Sequence, residues 1–297
     1  MIIGTRGSDL ALTQARTVAE LLLSRLGIVA PVQVIHTQGD RVTDRPLREL
    51  EGAGYFTKEI EEALLRREID IAVHSFKDMP SRMPAGLALA AVSVREDVAD
   101  LLLIRASAYQ ADAAALPLSS GAIIGTSAVR RETQLRALRP DLHIRDLRGN
   151  VPTRIAKLQS GQYDAIILAA AGANRLHCDL SMYQVIRLDV RKFVPAPGQG
   201  ALAIQVREDE PRFDAIRSAL HDSTTETATI IERNVQARFG GGCGLPLGVH
   251  AWREDQIWHS VGFWGGDKTT PTWMEVQGND PIALSDQLYH ALSGERI

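Results

Sequence analysis

The chain has little with which to cross-link itself. Among 297 residues there are only two cysteines, Cys178 and Cys243, and neither has a companion at the C-x-x-C spacing of a metal site. A disulfide framework is excluded, reduced thiols are expected, and no metal is implied. No apolar stretch approaches the roughly 20 residues that span a bilayer. Met1 runs straight into Ile2-Ile3-Gly4-Thr5, without the basic and apolar segments of an export signal. The chain also lacks a strong charge of either sign. Its net charge of -3 leaves no long-range pull toward nucleic acid or membrane, and a monomer in the cytoplasm is the expectation. Lysine is scarce too. Only five of the 33 basic residues are lysines and 28 are arginines, whose planar fork grips carboxylates in two-pronged fashion.

What is present is an ordinary globular composition, 45% hydrophobic and 23% charged, in a chain long enough for two or three domains. Ile2 to Thr5 reads as a short strand, then Arg6-Gly7-Ser8 leads into a helix whose apolar positions Leu12, Ala15, Val18, Ala19, Leu22, Leu23 and Leu26 recur at helical spacing up to Gly27. Ser8 is its expected N-cap. Strands are expected at Val32 to Thr37, Ile69 to His74 and Leu87 to Val94, with a helix near Phe56 to Arg67. The order then restarts: Ile123-Ile124-Gly125-Thr126 repeats Ile2-Ile3-Gly4-Thr5 and again opens a strand-turn-helix unit, followed by a strand at His143 to Leu147, a helix from Val151 to Leu158 and a strand at Ala165 to Ala169. A strand at Ala201 to Val206 lacks a partner of its own and would return the chain to the first sheet. The fold class expected is α/β: two similar doubly wound α/β domains around a cleft, residues 1–96 with 194–214 and residues 97–193, plus an antiparallel α+β domain at 215–297. Helix N-termini at facing sheet edges would make the cleft attract anions.

Arginines stand where that cleft should be. Arg6 follows the first strand, Arg130 and Arg131 follow its repeat, Arg148 ends a strand, Arg154 opens the next helix and Arg175 follows another apolar strand. Nothing resembles a GxxxxGK[ST] phosphate loop, so the set points to a ligand with several carboxylates. Two further features carry chemistry. The strand Ile71-Ala72-Val73 ends in His74-Ser75-Phe76-Lys77-Asp78-Met79-Pro80, where Asp78 can stabilise a cation and move a proton, with His74 the alternative acid. Cys243 lies in Gly240-Gly241-Gly242-Cys243-Gly244, whose glycines leave a thiol clear for a bulky attachment.

Seven blocks in order make the chain similar to the porphobilinogen deaminase family: Gly4-Thr5-Arg6-Gly7-Ser8; Phe56-Thr57-Lys58-Glu59; His74 to Pro80; Gly125-Thr126-Ser127 with Arg130-Arg131; Arg148-Gly149-Asn150 with Thr153-Arg154; Pro197-Gly198-Gln199-Gly200; and Gly241-Gly242-Cys243 with Pro246. The resemblance implies three domains, a dipyrromethane cofactor held on Cys243 by a thioether, and condensation of four porphobilinogen molecules into hydroxymethylbilane with loss of ammonia. Carried over by position, Asp78 is the catalytic acid. Ser8, Lys77, Thr126, Ser127, Arg130, Arg131 and Arg148 hold the cofactor, and Arg6, Arg154, Arg175 and Gln199 meet the substrate. Two positions depart from the family pattern, Ala53 where a lysine is usual and Ala128 where a serine is usual. The competing reading is a binding protein for a polycarboxylate without chemistry, or a relative that has lost turnover. Cys243 is the feature that a mere binder would not need.

Overall fold

The computed structural model describes residues 1–37, 55–113, 115–242, 244–266 and 270–295. The chain opens with β1 (Ile3–Thr5), the helix Asp9–Leu26 and β2 (Val32–Val34), then the helix Lys58–Leu65, β3 (Ile71–Ser75) and β4 (Leu87–Val92). Next come β5 (Asp100–Ile104), β6 (Ile123–Gly125), β7 (His143–Arg145), β8 (Ala165–Ala169) and β9 (Gln184–Arg187). Last are β10 (Leu202–Arg207), β11 (Leu247–Glu254), β12 (Ile257–Trp264) and β13 (Thr272–Gly278).

These strands build three sheets, ordered β2-β1-β3-β10-β4, β7-β6-β8-β5-β9 and β11-β12-β13. The first two share one plan. Each has three parallel strands, then a fourth strand running antiparallel to both its neighbours, β10 in one and β5 in the other. The return strand expected near Ala201 is thus β10, seated between β3 and β4. The fourth strands are also the two that the chain enters on passing between sheets, so both crossovers run side by side.

Burial explains the double winding. In the first sheet Ile71 and Val73 pack with Val18 and Leu22 of the helix Asp9–Leu26, whereas Ala72 packs on the other face with Ile60 and Leu64. The second sheet alternates likewise, Leu102 and Ile104 on one face and Leu101 and Leu103 on the other. The third sheet is antiparallel and its cores include residues of the helices Ser223–Arg238 and Pro281–Ser293. Ser8 accepts the Ala11 N–H at 3.4 Å, so the N-cap expected there is present, and Asn150 caps the helix Val151–Gln159 in the same way. The sequence reading set several ends too long: β2 stops at Val34 rather than Thr37, and β4 at Val92 rather than Val94. It also passed over β5, β9 and the helix Phe213–Leu220.

Candidate active site

Between the first two sheets lies a cleft of about 760 Å³. Its floor on one side is Gly7 and Ser8 at the start of the helix Asp9–Leu26, and on the other Arg148 to Val151 at the start of the helix Val151–Gln159. A helix N-terminus borders the cleft on each side, adding partial positive charge, although on the second sheet it belongs to the helix Val151–Gln159 rather than to the helix that follows the repeated Ile-Ile-Gly-Thr. Among the described residues seven basic side chains line it, Arg6, Lys77, Arg131, Arg148, Arg154, Lys157 and Arg175, against a single carboxylate, Asp78.

Asp78 ends a short 3-10 turn, Phe76–Asp78, that β3 feeds directly. On one side this turn meets the crossover: Lys77 Nζ donates to Gln199 Oε1 at 3.3 Å, and Gly198, at φ 74°, packs so close that a Cβ there would stand 3.2 Å from the backbone nitrogen of Lys77. Burial lowers the Lys77 ammonium to about 8, because an ammonium taken out of water loses its hydration. His74 is buried with Nε2 3.1 Å from Gln205 Oε1, and burial pushes it down to about 4, so it is neutral near pH 7. It has no imidazolium proton to give. It borders, with Asp78, a separate small cavity of about 70 Å³ behind the turn, and Asp78 is the acid that faces the cleft.

The arginines divide into two kinds. Arg154 lines the cleft, and burial together with the like charges of Arg131 and Arg148 lowers it to about 10. Arg6 lies over the Phe56 ring at 4.1 Å, and Arg175 donates to the Gly200 carbonyl at 2.7 Å. Arg130 and Arg131, by contrast, are both buried against Asp100. Arg131 grips it in two-pronged fashion, Nη2 at 2.7 Å and Nε at 3.2 Å, while Arg130 donates to it at 2.8 Å and to the Val194 carbonyl at 2.7 Å. Burial alone would raise the Asp100 carboxyl, but the two guanidiniums outweigh it and hold the group well below the usual aspartate range. Arg131 also reaches the cleft wall, whereas Arg130 does not line it.

Three other expected residues are engaged inside the fold. Thr126 is buried, and its hydroxyl accepts the Ala128 N–H. Ser127 clips Leu147, donating to its carbonyl at 2.9 Å and accepting its N–H at 3.0 Å. Gln199 is buried but lines the cleft, and its amide donates to Val98 and Asp100 across the crossovers. Cys243 and Ala53 lie outside the described residues. Reading by sequence missed Lys157, one turn beyond Arg154 on the same helix, and two buried acids, Asp100 and Glu232. Glu232 accepts two hydrogen bonds from the Arg95 guanidinium, each at 2.8 Å, and the N–H groups of Gly198 and Ala251. The available signal was an acid set inside an apolar run, Ala99-Asp100-Leu101 and Ile231-Glu232.

A family model described as "Porphobilinogen deaminase, dipyromethane cofactor binding domain" matches residues 1–215. The chain belongs to the porphobilinogen deaminase family. Among its relatives, a porphobilinogen deaminase of Sulfurimonas denitrificans is 46% identical over 252 residues, 84% of this chain and 79% of that protein. One from Streptococcus sanguinis is 39% identical over 296 residues, covering 98% and 94%. Solved structures that share part of the shape include an ABC transporter periplasmic substrate-binding protein from Coxiella burnetii, 16% identical with a TM-score of 0.45 over 76% of this chain and 94% of that one. So loose a likeness has no bearing on function. Among the described residues no cluster of His, Cys, Asp or Glu would hold a metal, and no helix is long and apolar enough to cross a membrane.

Proposed function

We propose that the cleft carries out the reaction of the family, condensing four porphobilinogen molecules head to tail into hydroxymethylbilane with release of ammonia, as a step of tetrapyrrole synthesis. The observation that carries this reading is that, among the described residues, one carboxylate, Asp78, is set among seven cations in a cleft between two sheets. The cofactor of the family is dipyrromethane. The residues fit such a group, since its acetate and propionate side chains need guanidinium and ammonium partners, which Lys77, Arg131 and Arg148 present to the cleft. When bound, it supplies the two-pyrrole primer to which further units are joined. Attachment by a thioether to Cys243 is part of the proposal.

Asp78 would hold the substrate's aminomethyl group as an ammonium and stabilise the cation left as ammonia departs. Arg6, Arg154, Arg175 and Gln199 would orient the substrate carboxylates. Ser8 would act through the helix N-terminus that it caps. Thr126, Ser127 and Arg130 remain in the cofactor set on the resemblance alone, because their side chains are committed within the fold. Three domains with the boundaries expected from sequence are supported by the three sheets, and we read the protein as a cytoplasmic monomer.

The test is the intact mass of protein made in a porphyrin-synthesising host, paired with porphobilinogen turnover. The expected mass exceeds that of the sequence by two linked pyrrole units, and Cys243→Ser removes the adduct. An unmodified, inactive protein would sink the reading, and so would an adduct on Cys178.

A further inference from the structure

The turn that bears Asp78 has a problem of its own making. β3 gives way to the turn at Phe76 and Pro80 has no N–H to offer, so the carbonyls of Phe76, Met79 and Pro80 lie beyond the sheet's ladder. A single side chain from the third layer meets this need. Arg233, on the helix Ser223–Arg238, donates from Nη1 to the Phe76 carbonyl at 3.4 Å and the Met79 carbonyl at 3.2 Å, and from Nη2 to the Pro80 carbonyl at 2.6 Å. Its guanidinium also lies 4.6 Å over the Phe76 ring, which is itself bedded against Met79, Val92, Ala201 and Ala203. Three carbonyls and one ring face therefore fix a planar fork, a set that a lysine cannot reproduce.

Arg233 is not among the described residues that line the cleft. What it holds is the far side of the turn, opposite the Gly198-Gln199 crossover. Its neighbour Glu232 accepts the Gly198 N–H at 2.7 Å, so consecutive residues of one helix grip both sides of the segment that carries Lys77 and Asp78. The same helix leads in sequence to Cys243. Its Gln236 donates to the Gly242 carbonyl, and Gly241, at φ 68°, passes Ser81 so closely that a Cβ there would stand 2.5 Å from the hydroxyl. The chain just before the cysteine and the chain just after the acid thus run against each other beneath one helix.

We infer that Arg233 is a positioning residue, which sets the Asp78 carboxylate relative to the segment bearing Cys243 by bonding the carbonyls of the Phe76–Pro80 turn. This rests on the proposed reaction, because only there does the distance between acid and attachment point matter. A shift of about 1 Å in a reacting group costs on the order of a hundredfold in rate. The loss expected on freeing the turn is therefore about 10- to 100-fold in kcat, with KM little changed because the cleft cations stay in place.

The experiment compares the cofactor-loaded parent with Arg233→Met, Arg233→Lys and Arg233→Ala, measuring kcat and KM for porphobilinogen, intact mass and melting midpoint. Arg233→Met should keep the adduct and KM and lose kcat; Arg233→Lys should recover only a small part. Millimolar methylguanidinium should restore activity to Arg233→Ala, an effect that a purely structural loss would not show. Arg238→Met, on the same helix but bonded to exposed Asp286, should turn over normally. The inference fails if Arg233→Met matches the parent in kcat, if KM rises while kcat holds, or if methylguanidinium rescues nothing. If Arg233→Met does not fold, the rescue of Arg233→Ala and the kcat of Arg233→Lys decide. A parent without turnover overturns the functional reading instead.

Discussion

Asp100→Asn should damage the protein more than any change to a surface charge. Asp100 is fully buried and takes hydrogen bonds from Arg130, Arg131 and Gln199, and the two guanidiniums are themselves almost wholly buried. Asparagine keeps the shape and one acceptor but removes the charge that cancels them, leaving two like charges facing each other out of water. Breaking a buried pair from one side costs about 3–5 kcal/mol. With a midpoint shift of about 2 °C per kcal/mol for a chain of this length, the fall expected is roughly 6–10 °C. By comparison Glu68→Gln, which breaks the exposed pair with Arg66, should leave the midpoint nearly unchanged, because water screens that pair. The pH dependence supplies a sharper check. The folded carboxyl sits below its unfolded value, so its contribution is complete above the usual aspartate range and fades as pH falls toward the folded pKa. The gap between parent and Asp100→Asn should therefore be full at pH 7 and narrow below about pH 4. Thermal melts across pH decide it; a variant that melts like the parent at pH 7, or a gap that does not shrink in acid, would refute the reasoning.

Other outcomes follow from the cleft. Asp78→Asn should lose at least about a hundredfold in turnover while melting within a degree or two of the parent, as judged by steady-state rates beside calorimetry. The Lys77 ammonium titrates near 8, and the charged form is the one below that pH, so kcat/KM should fall as pH rises through about 8. In Lys77→Arg that alkaline limb should move beyond pH 10 or vanish, read from a pH–rate profile. Ala128 is the N-cap of the helix Val129–Leu138 and offers it no side-chain acceptor, so Ala128→Ser should stabilise by about 0.5–2 kcal/mol in urea titration and leave rates alone.

The repeat of Ile-Ile-Gly-Thr disclosed two sheets of one plan because a parallel strand and its helix carry their pattern locally, in apolar runs and turn residues. β5 was not legible in that way. Asp100-Leu101-Leu102-Leu103-Ile104 is a short apolar run buried on both faces, with nothing in its period to tell strand from helix, and its partners on β8 lie more than 60 residues on. The same gap hid the meaning of Arg130 and Arg131. Their place at a strand end was readable, but the acid that claims them sits on the strand that was passed over. Arg233 was hidden for another reason: what it bonds is backbone, and a backbone carbonyl outside any sheet has no letter in the sequence.

The two arrangements of arginine have opposite electrostatic logic. Around Asp100 the charge is supplied from within, and every guanidinium donor that faces the acid has its acceptor before any ligand arrives. In the cleft, burial lowers Arg154, and the like charges of Arg131 and Arg148 lower it further. Like charges held close at a half-buried site cost free energy in the empty state, and each carboxylate that enters removes part of that cost. The cleft is therefore strained toward a polyanion, whereas the buried cluster gives the frame against which that strain is held. Arg131 belongs to both, with its fork closed on Asp100 and its edge on the cleft wall. A ligand carboxylate drawn to that edge meets a guanidinium that cannot swing to follow it, and the frame, rather than the ligand, decides where the carboxylate rests.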